Sequence, residues 1–86
     1  MYYVYLLRSN QDGKFYVGYT ADLVKRMEDH NKGVVQSTRN RRPLELIYYE
    51  ACATQQDALH REKYLKTAYG KRYIKNRLKE YLDALD

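Results

Sequence analysis

The chain has 86 residues, with 16 Lys or Arg against 11 Asp or Glu, for a formal net charge of +5. A single domain over residues 1–86 with a modest core is expected, and the basic excess favours polyanions, nucleic acid first and an anionic membrane second. The lone Cys52 excludes an internal disulfide framework and a cysteine-rich zinc site. No apolar stretch is long enough to span a bilayer and the start does not read as a signal peptide, so a reducing cytoplasm is the expected compartment.

Tyr2 to Leu7 is apolar on both alternations, as in a strand covered on both faces. Ser9-Asn10-Gln11-Asp12-Gly13 ends in Asp-Gly, a hairpin signal, and Lys14 to Tyr19 is the expected partner strand. Residues 22 to 32 read as a helix, with Asp22 in its first turn and Gly33 just past its end. Residues 34 to 42 form a polar, basic loop, and Pro43 opens a third strand, Leu44 to Glu50. Thr54-Gln55-Gln56-Asp57 resembles a capping box, so a second helix is expected over 55 to 67. Gly70 is expected to break it, and a last amphipathic helix is expected over 71 to 84. The order ββαβαα implies an α+β fold: a small three-stranded antiparallel sheet flanked by helices.

Polar residues in apolar places single out a set. With Ala58 at zero, Glu62 lies at about 40° and Leu65 at about −20°, so a carboxylate falls within an apolar arc. Such a glutamate is either paired with a core-edge cation or part of a site. On the first helix, His30 at about −20° from Leu23 adjoins the apolar face, and Arg26 at about −60° lies on its rim. The hairpin can bring the hydroxyls of Tyr5 and Tyr16 toward one face. With 11 tyrosines in the chain, most must be structural. Taken together, the set suits phosphate chemistry. Hard divalent cations take oxygen ligands, an arginine fork suits a phosphate, and tyrosine or histidine can handle a proton.

Tyr3-Val4-Tyr5 and Tyr16-Val17-Gly18, followed by Arg26, His30-Asn31 and Glu62 in order and spacing, resemble the GIY-YIG nuclease superfamily over nearly the whole chain. The likeness is greatest to its small standalone bacterial members. Tyr3 stands where the first motif has glycine. The resemblance implies a metal-dependent endonuclease that cuts phosphodiesters with one divalent cation, Mg²⁺ or Mn²⁺. Carried over, Glu62 is the metal ligand, Arg26 the phosphate clamp, and Tyr5, Tyr16 and His30 surround the attacking water. Tyr16 is the better anchored tyrosine, because its motif leads into the helix carrying Arg26 and His30. Some relatives have a lysine where Tyr19 stands, and many use an asparagine in the last helix. Asn76 is nearest to that place, but it falls roughly opposite the apolar face of Ile74, Leu78, Tyr81 and Leu85.

Binding would come from basic residues. Arg39, Arg41 and Arg42 cluster in the loop before the third strand, while Lys63 and Lys66 lead a series of cations on the last helices that includes Arg61. Contacts from such residues to phosphates are independent of sequence. The expected partner is nucleic acid, DNA ahead of RNA, with no membrane. The alternatives are a nucleic-acid-binding module that keeps the fold without catalysis, and a structural protein whose aromatics are simply core.

Overall fold

The computed structural model describes residues 1–85. Strands β1 (Tyr2–Ser9), β2 (Phe15–Thr20) and β3 (Leu44–Cys52) form one antiparallel sheet in the order β2-β1-β3. Helices α1 (Leu23–Lys32), α2 (Gln55–Leu65), α3 (Ala68–Arg77) and α4 (Lys79–Asp83) accompany it, with a single 3-10 turn at Arg39–Arg41. This is the expected α+β arrangement, with one helix more than ββαβαα.

The doubly apolar first strand is the central one, and Val4, Tyr5, Leu6 and Leu7 are all buried. Val4 and Leu6 join Ala58, Leu65 and Ile74 of α2 and α3. Tyr5 and Leu7 face the other way, joining Leu44 and, from α1, Leu23 and Met27. The sheet is thus the middle of three layers, and each fully buried Val or Leu contributes about 1.5–3 kcal/mol. The hairpin turn is held by the backbone N–H of Lys14 donating to Asp12 Oδ1 at 2.9 Å. The buried Ser9 hydroxyl donates to the Arg41 carbonyl at 2.6 Å and accepts from the Gln11 N–H, tying the hairpin to the 34–42 loop. That loop buries Val35 and Thr38, so it is part of the core under α1 rather than a free basic tether.

The helix starts follow their side-chain chemistry. Asp22 caps α1 by accepting from the Lys25 N–H, and Thr54 caps α2 by accepting from the Asp57 N–H at 3.2 Å. The C-terminal helices depart from expectation in two places. The second helix stops at Leu65, and the break falls at Thr67, whose hydroxyl accepts from the Gly70 N–H at 3.1 Å and caps α3. Gly70 is therefore inside a helix, where its missing side chain is what matters. A Cβ there would run into the Tyr64 carbonyl oxygen at the end of α2. The expected single helix over 71 to 84 is instead α3 and α4, divided at Leu78 with φ −107° and ψ 26°. Leu78 still packs on the core, and Tyr81 reaches Glu45 Oε1 of β3 at 3.1 Å.

Gly70→Ala should therefore destabilise the fold by about 1–3 kcal/mol through overpacking, although alanine is the better helix former by about 1 kcal/mol. Thermal melts of the two proteins check this, and a raised melting temperature would show that the turn between α2 and α3 opens at no cost.

Candidate active site

The register of the sheet builds the site around Tyr5. Tyr5 pairs with Gly18 of β2, and the phenol lies across that glycine. A side chain at Gly18 would collide with the Tyr5 ring and hydroxyl, so the glycine of the second motif serves the tyrosine of the first. The hydroxyl thereby reaches α1, which presents Arg26 and His30 one turn apart. It lies 2.7 Å from His30 Nε2 and accepts from Arg26 Nε at 3.3 Å. The other imidazole nitrogen, Nδ1, lies 2.7 Å from Thr38 Oγ1 of the buried loop. Tyr16, opposite Leu7, completes the cluster, its ring 5.3 Å from His30 and 6.4 Å from Tyr5.

His30 is completely buried, further in than its place at the edge of an apolar face implied. Burial, followed by the neighbouring Arg26 charge, lowers its pKa to about 4, so the imidazole is neutral at physiological pH. Burial likewise raises the Tyr5 pKa, opposed by the hydrogen bond from Arg26. Arg26 is held more firmly protonated, first by that same hydrogen bond. One proton arrangement satisfies every group. Arg26 can only donate, so the Tyr5 hydroxyl donates its own proton to Nε2, and Nδ1–H donates to Thr38.

The lowered His30 pKa makes the stability of the fold depend on pH. An unfolded histidine titrates near pH 6.5, the folded one near 4. Between these values the unfolded chain binds the extra proton, so His30 stabilises the fold above about pH 6.5 and that contribution is lost as pH falls toward 4. The loss should reach at most about 3 kcal/mol. Denaturant melts of the wild type and His30→Gln across pH 4–7 test it: the wild type should lose more stability than the variant over this window, and parallel curves would contradict it.

Glu62 lies on α2 between the buried positions Ala58 and Leu65, as its spacing implies. Its carboxylate is half-buried, and its partner is Lys66 Nζ at 3.4 Å rather than a core-edge arginine. Helix α2 packs on β1 and β2, and the Glu62 charge is close enough to Tyr5 to help raise its pKa. Among the described residues, no group of three or more His, Cys, Asp and Glu converges. A cation at Glu62 would have at most two such side chains as ligands. That suits Mg²⁺, which keeps several waters and takes substrate phosphate oxygens as ligands. Glu62 fits this use, because Lys66 engages only Oε2 among the described residues.

The remaining sequence candidates sit as follows. Tyr19 is on the opposite sheet face, stacked on Tyr2 with centroids 6.4 Å apart. Asn76 is exposed. Arg39 is exposed, whereas Arg42 is folded back onto the Arg39 carbonyl at 2.8 Å. Arg41 is turned into the hairpin, donating to the Phe15 carbonyl at 3.3 Å and facing Asp12 at 3.7 Å, too long for a hydrogen bond. Its buried Nε has no hydrogen-bond partner among the described residues. Lys63 is exposed, and Lys66 stands beside Glu62. Arg61 is structural: it forms a two-pronged pair with Glu50 at 2.8 and 3.0 Å and lies against the rings of Tyr64 and Tyr73. Thr38 was not singled out by sequence, because nothing local marks it and its role exists only once the loop folds under His30.

A family model described as the GIY-YIG catalytic domain matches residues 1–79. The chain belongs to the GIY-YIG nuclease family. It is similar to a UPF0213 protein of Bacillus pumilus, 46% identical over 67 residues covering 77% of this chain and 67% of that protein. A UPF0213 protein of Staphylococcus saprophyticus is 37% identical over 75 residues, or 86% of this chain and 90% of the relative. Among solved structures, the NMR structure of a UPF0213 protein from Bacillus halodurans aligns with all of this chain and 86% of its own, at 32% identity and a TM-score of 0.47. Among the described residues, no helix is long and apolar enough to cross a membrane.

Proposed function

We propose that this chain is a divalent-metal-dependent endonuclease that hydrolyses phosphodiester bonds in nucleic acid, DNA ahead of RNA, with little sequence specificity of its own. The observation that supports this best is the Tyr5 hydroxyl, held between a neutral imidazole acceptor at 2.7 Å and a guanidinium donor at 3.3 Å. A phenol merely satisfying the core needs one partner. This one has a proton acceptor and a fixed cation that favours its deprotonated form.

Glu62 would hold the cation, Mg²⁺ or Mn²⁺, which when bound offsets charge on the scissile phosphate and on the leaving oxygen. The chain's own groups handle the nucleophile. As a water attacks phosphorus, its proton passes to the Tyr5 oxygen while the Tyr5 proton passes to His30 Nε2. The new P–O bond forms as the P–O bond to the leaving oxygen breaks. Thr38 holds the ring and accepts from Nδ1–H in the tautomer that leaves Nε2 free to accept. Arg26 stabilises negative charge on both the phenol oxygen and the phosphate. Tyr16 walls the other side of His30.

Branched, nicked and plain DNA and RNA, incubated with Mg²⁺ or Mn²⁺ and with chelator, test the proposal directly. Metal-dependent cleavage is expected on at least one DNA, with affinity falling steeply as salt rises and varying little with sequence. Salt-sensitive binding with no cleavage of any substrate would leave a binding module in place of an enzyme.

A further inference from the structure

Beside the site, on the α2–α3 face of the sheet, lies an open groove of about 550 Å³ between the β1–β2 hairpin and the C-terminal helices. Its volume is that of a small-ligand pocket, on the order of 300–1,000 Å³. Phe15 and Val17 of β2 give it an accessible apolar side, and Leu65 and Ile74, buried in the core, form its floor. Four lysines line it, Lys14 from the hairpin, Lys66 from the α2–α3 turn, and Lys71 and Lys75 one turn apart on α3. Among the described residues, no acidic one lines it. Tyr16 and Lys66 are also lining residues, and they are the groups that pack against His30 and pair with Glu62. The groove thus meets the Tyr5–His30 cluster, which lies on the other face of the sheet, at the β2 edge through Tyr16, and reaches Glu62 through Lys66.

Apolar walls with cationic edges fit neither of the simpler occupants of a nuclease surface. A duplex backbone presents charged phosphates and sugars, with its bases already stacked on each other, and has no use for the apolar side. A phosphate alone needs the lysines but not Phe15, Val17, Leu65 and Ile74. An unpaired nucleotide matches both halves: its base has a π-face and apolar body, and its flanking phosphates carry the charge. Phe15, 36% exposed at the hairpin edge, offers the ring.

We infer that this groove holds an unpaired nucleotide of the strand being cut, so that the preferred substrate has a single-stranded segment next to the scissile phosphate. The inference rests on the nuclease reading for its biological use, but its test does not depend on cleavage. In chelator, tetrathymidylate is titrated into the 15N-labelled protein in parallel with the same tetranucleotide backbone carrying abasic sites throughout. Tetrathymidylate should perturb the resonances of Phe15, Val17, Leu65 and Ile74 and bind about 5- to 100-fold tighter than the abasic strand. Phe15→Ala, and Phe15→Leu as a variant that keeps an apolar side chain, should remove most of that ratio while leaving the abasic affinity unchanged. Lys71→Ala with Lys75→Ala should weaken both strands and lower the salt slope by about 1.4 units. Equal affinities for the two strands, perturbations confined to other surfaces, or a blunt duplex bound in the groove as tightly as tetrathymidylate would each overturn the inference. A protein that shows the base-dependent binding but never cuts keeps the groove and loses the nuclease reading. One that cuts but treats the two strands alike does the reverse.

Discussion

Glu62→Gln should lower metal-dependent cleavage by about 10³-fold or more while leaving the fold intact. The substitution keeps the shape of the side chain and removes its charge. The stability cost is expected to be small, because the ion pair it breaks is with Lys66, a lysine that is more than half exposed, and such pairs contribute about 0–1 kcal/mol. Nucleic-acid binding should be unchanged or tighter, since one negative charge near the phosphates is gone. Single-turnover cleavage, melting curves and a binding titration in chelator separate these effects. A folded Glu62→Gln that cuts at the wild-type rate would remove the carboxylate from the chemistry and leave the cation, if one is needed, to be held elsewhere. A variant that fails to bind as well as to cut would point to a structural fault instead.

Some parts of this site are legible in the sequence because they depend on local periodicity. The double apolar alternation of Tyr2–Leu7 identifies the central strand, and helix spacing places Glu62 between Ala58 and Leu65 and sets His30 one turn after Arg26. What could not be read depends on which groups meet across the fold. Sequence order favours Tyr16 as the anchored tyrosine, yet the hydrogen bonds converge on Tyr5, because only the Tyr5–Gly18 register lets a phenol cross β2 and reach α1. Likewise, three arginines within four residues look alike as a string. In the fold, Arg41 is spent on the hairpin and Arg42 on its own turn, leaving Arg39 the freest of the three. Gly70 reads as a helix breaker by propensity but acts as a point of close approach between two helices, which no propensity records.

The same convergence explains how the fold and the site share residues. Thr38 is a loop residue by sequence and a core residue by burial, and its hydroxyl fixes the His30 ring. The loop is in turn anchored by Ser9 at the end of β1. Tyr5, within β1, and Thr38, which holds the ring that Tyr5 bonds, are thus joined through that strand. Loosening the 34–42 loop should disturb His30 before it disturbs the sheet.

Tyr5→Phe should lower the cleavage rate by roughly 10²–10⁴, and Tyr16→Phe by less than about tenfold. Both changes keep the ring and its packing, so the contrast isolates the hydroxyls. The two sites differ in stability as well. Removing the Tyr5 hydroxyl leaves His30 Nε2 buried without a partner, a cost of about 1–3 kcal/mol, whereas the Tyr16 hydroxyl has no hydrogen-bond partner to lose among the described residues. Melting alone therefore cannot separate packing from chemistry at Tyr5. The separation comes from kinetics measured well below the melting temperature of each variant, at saturating substrate and under single turnover. If the hydroxyl only positions Arg26, its loss should appear as weaker substrate binding, with the saturated rate preserved. If it carries the proton, the saturated rate itself falls and more substrate does not restore it. A Tyr5→Phe protein with wild-type saturated rate would return Tyr5 to the core, and a large loss confined to Tyr16→Phe would move proton transfer to the half-buried phenol on the other side of His30.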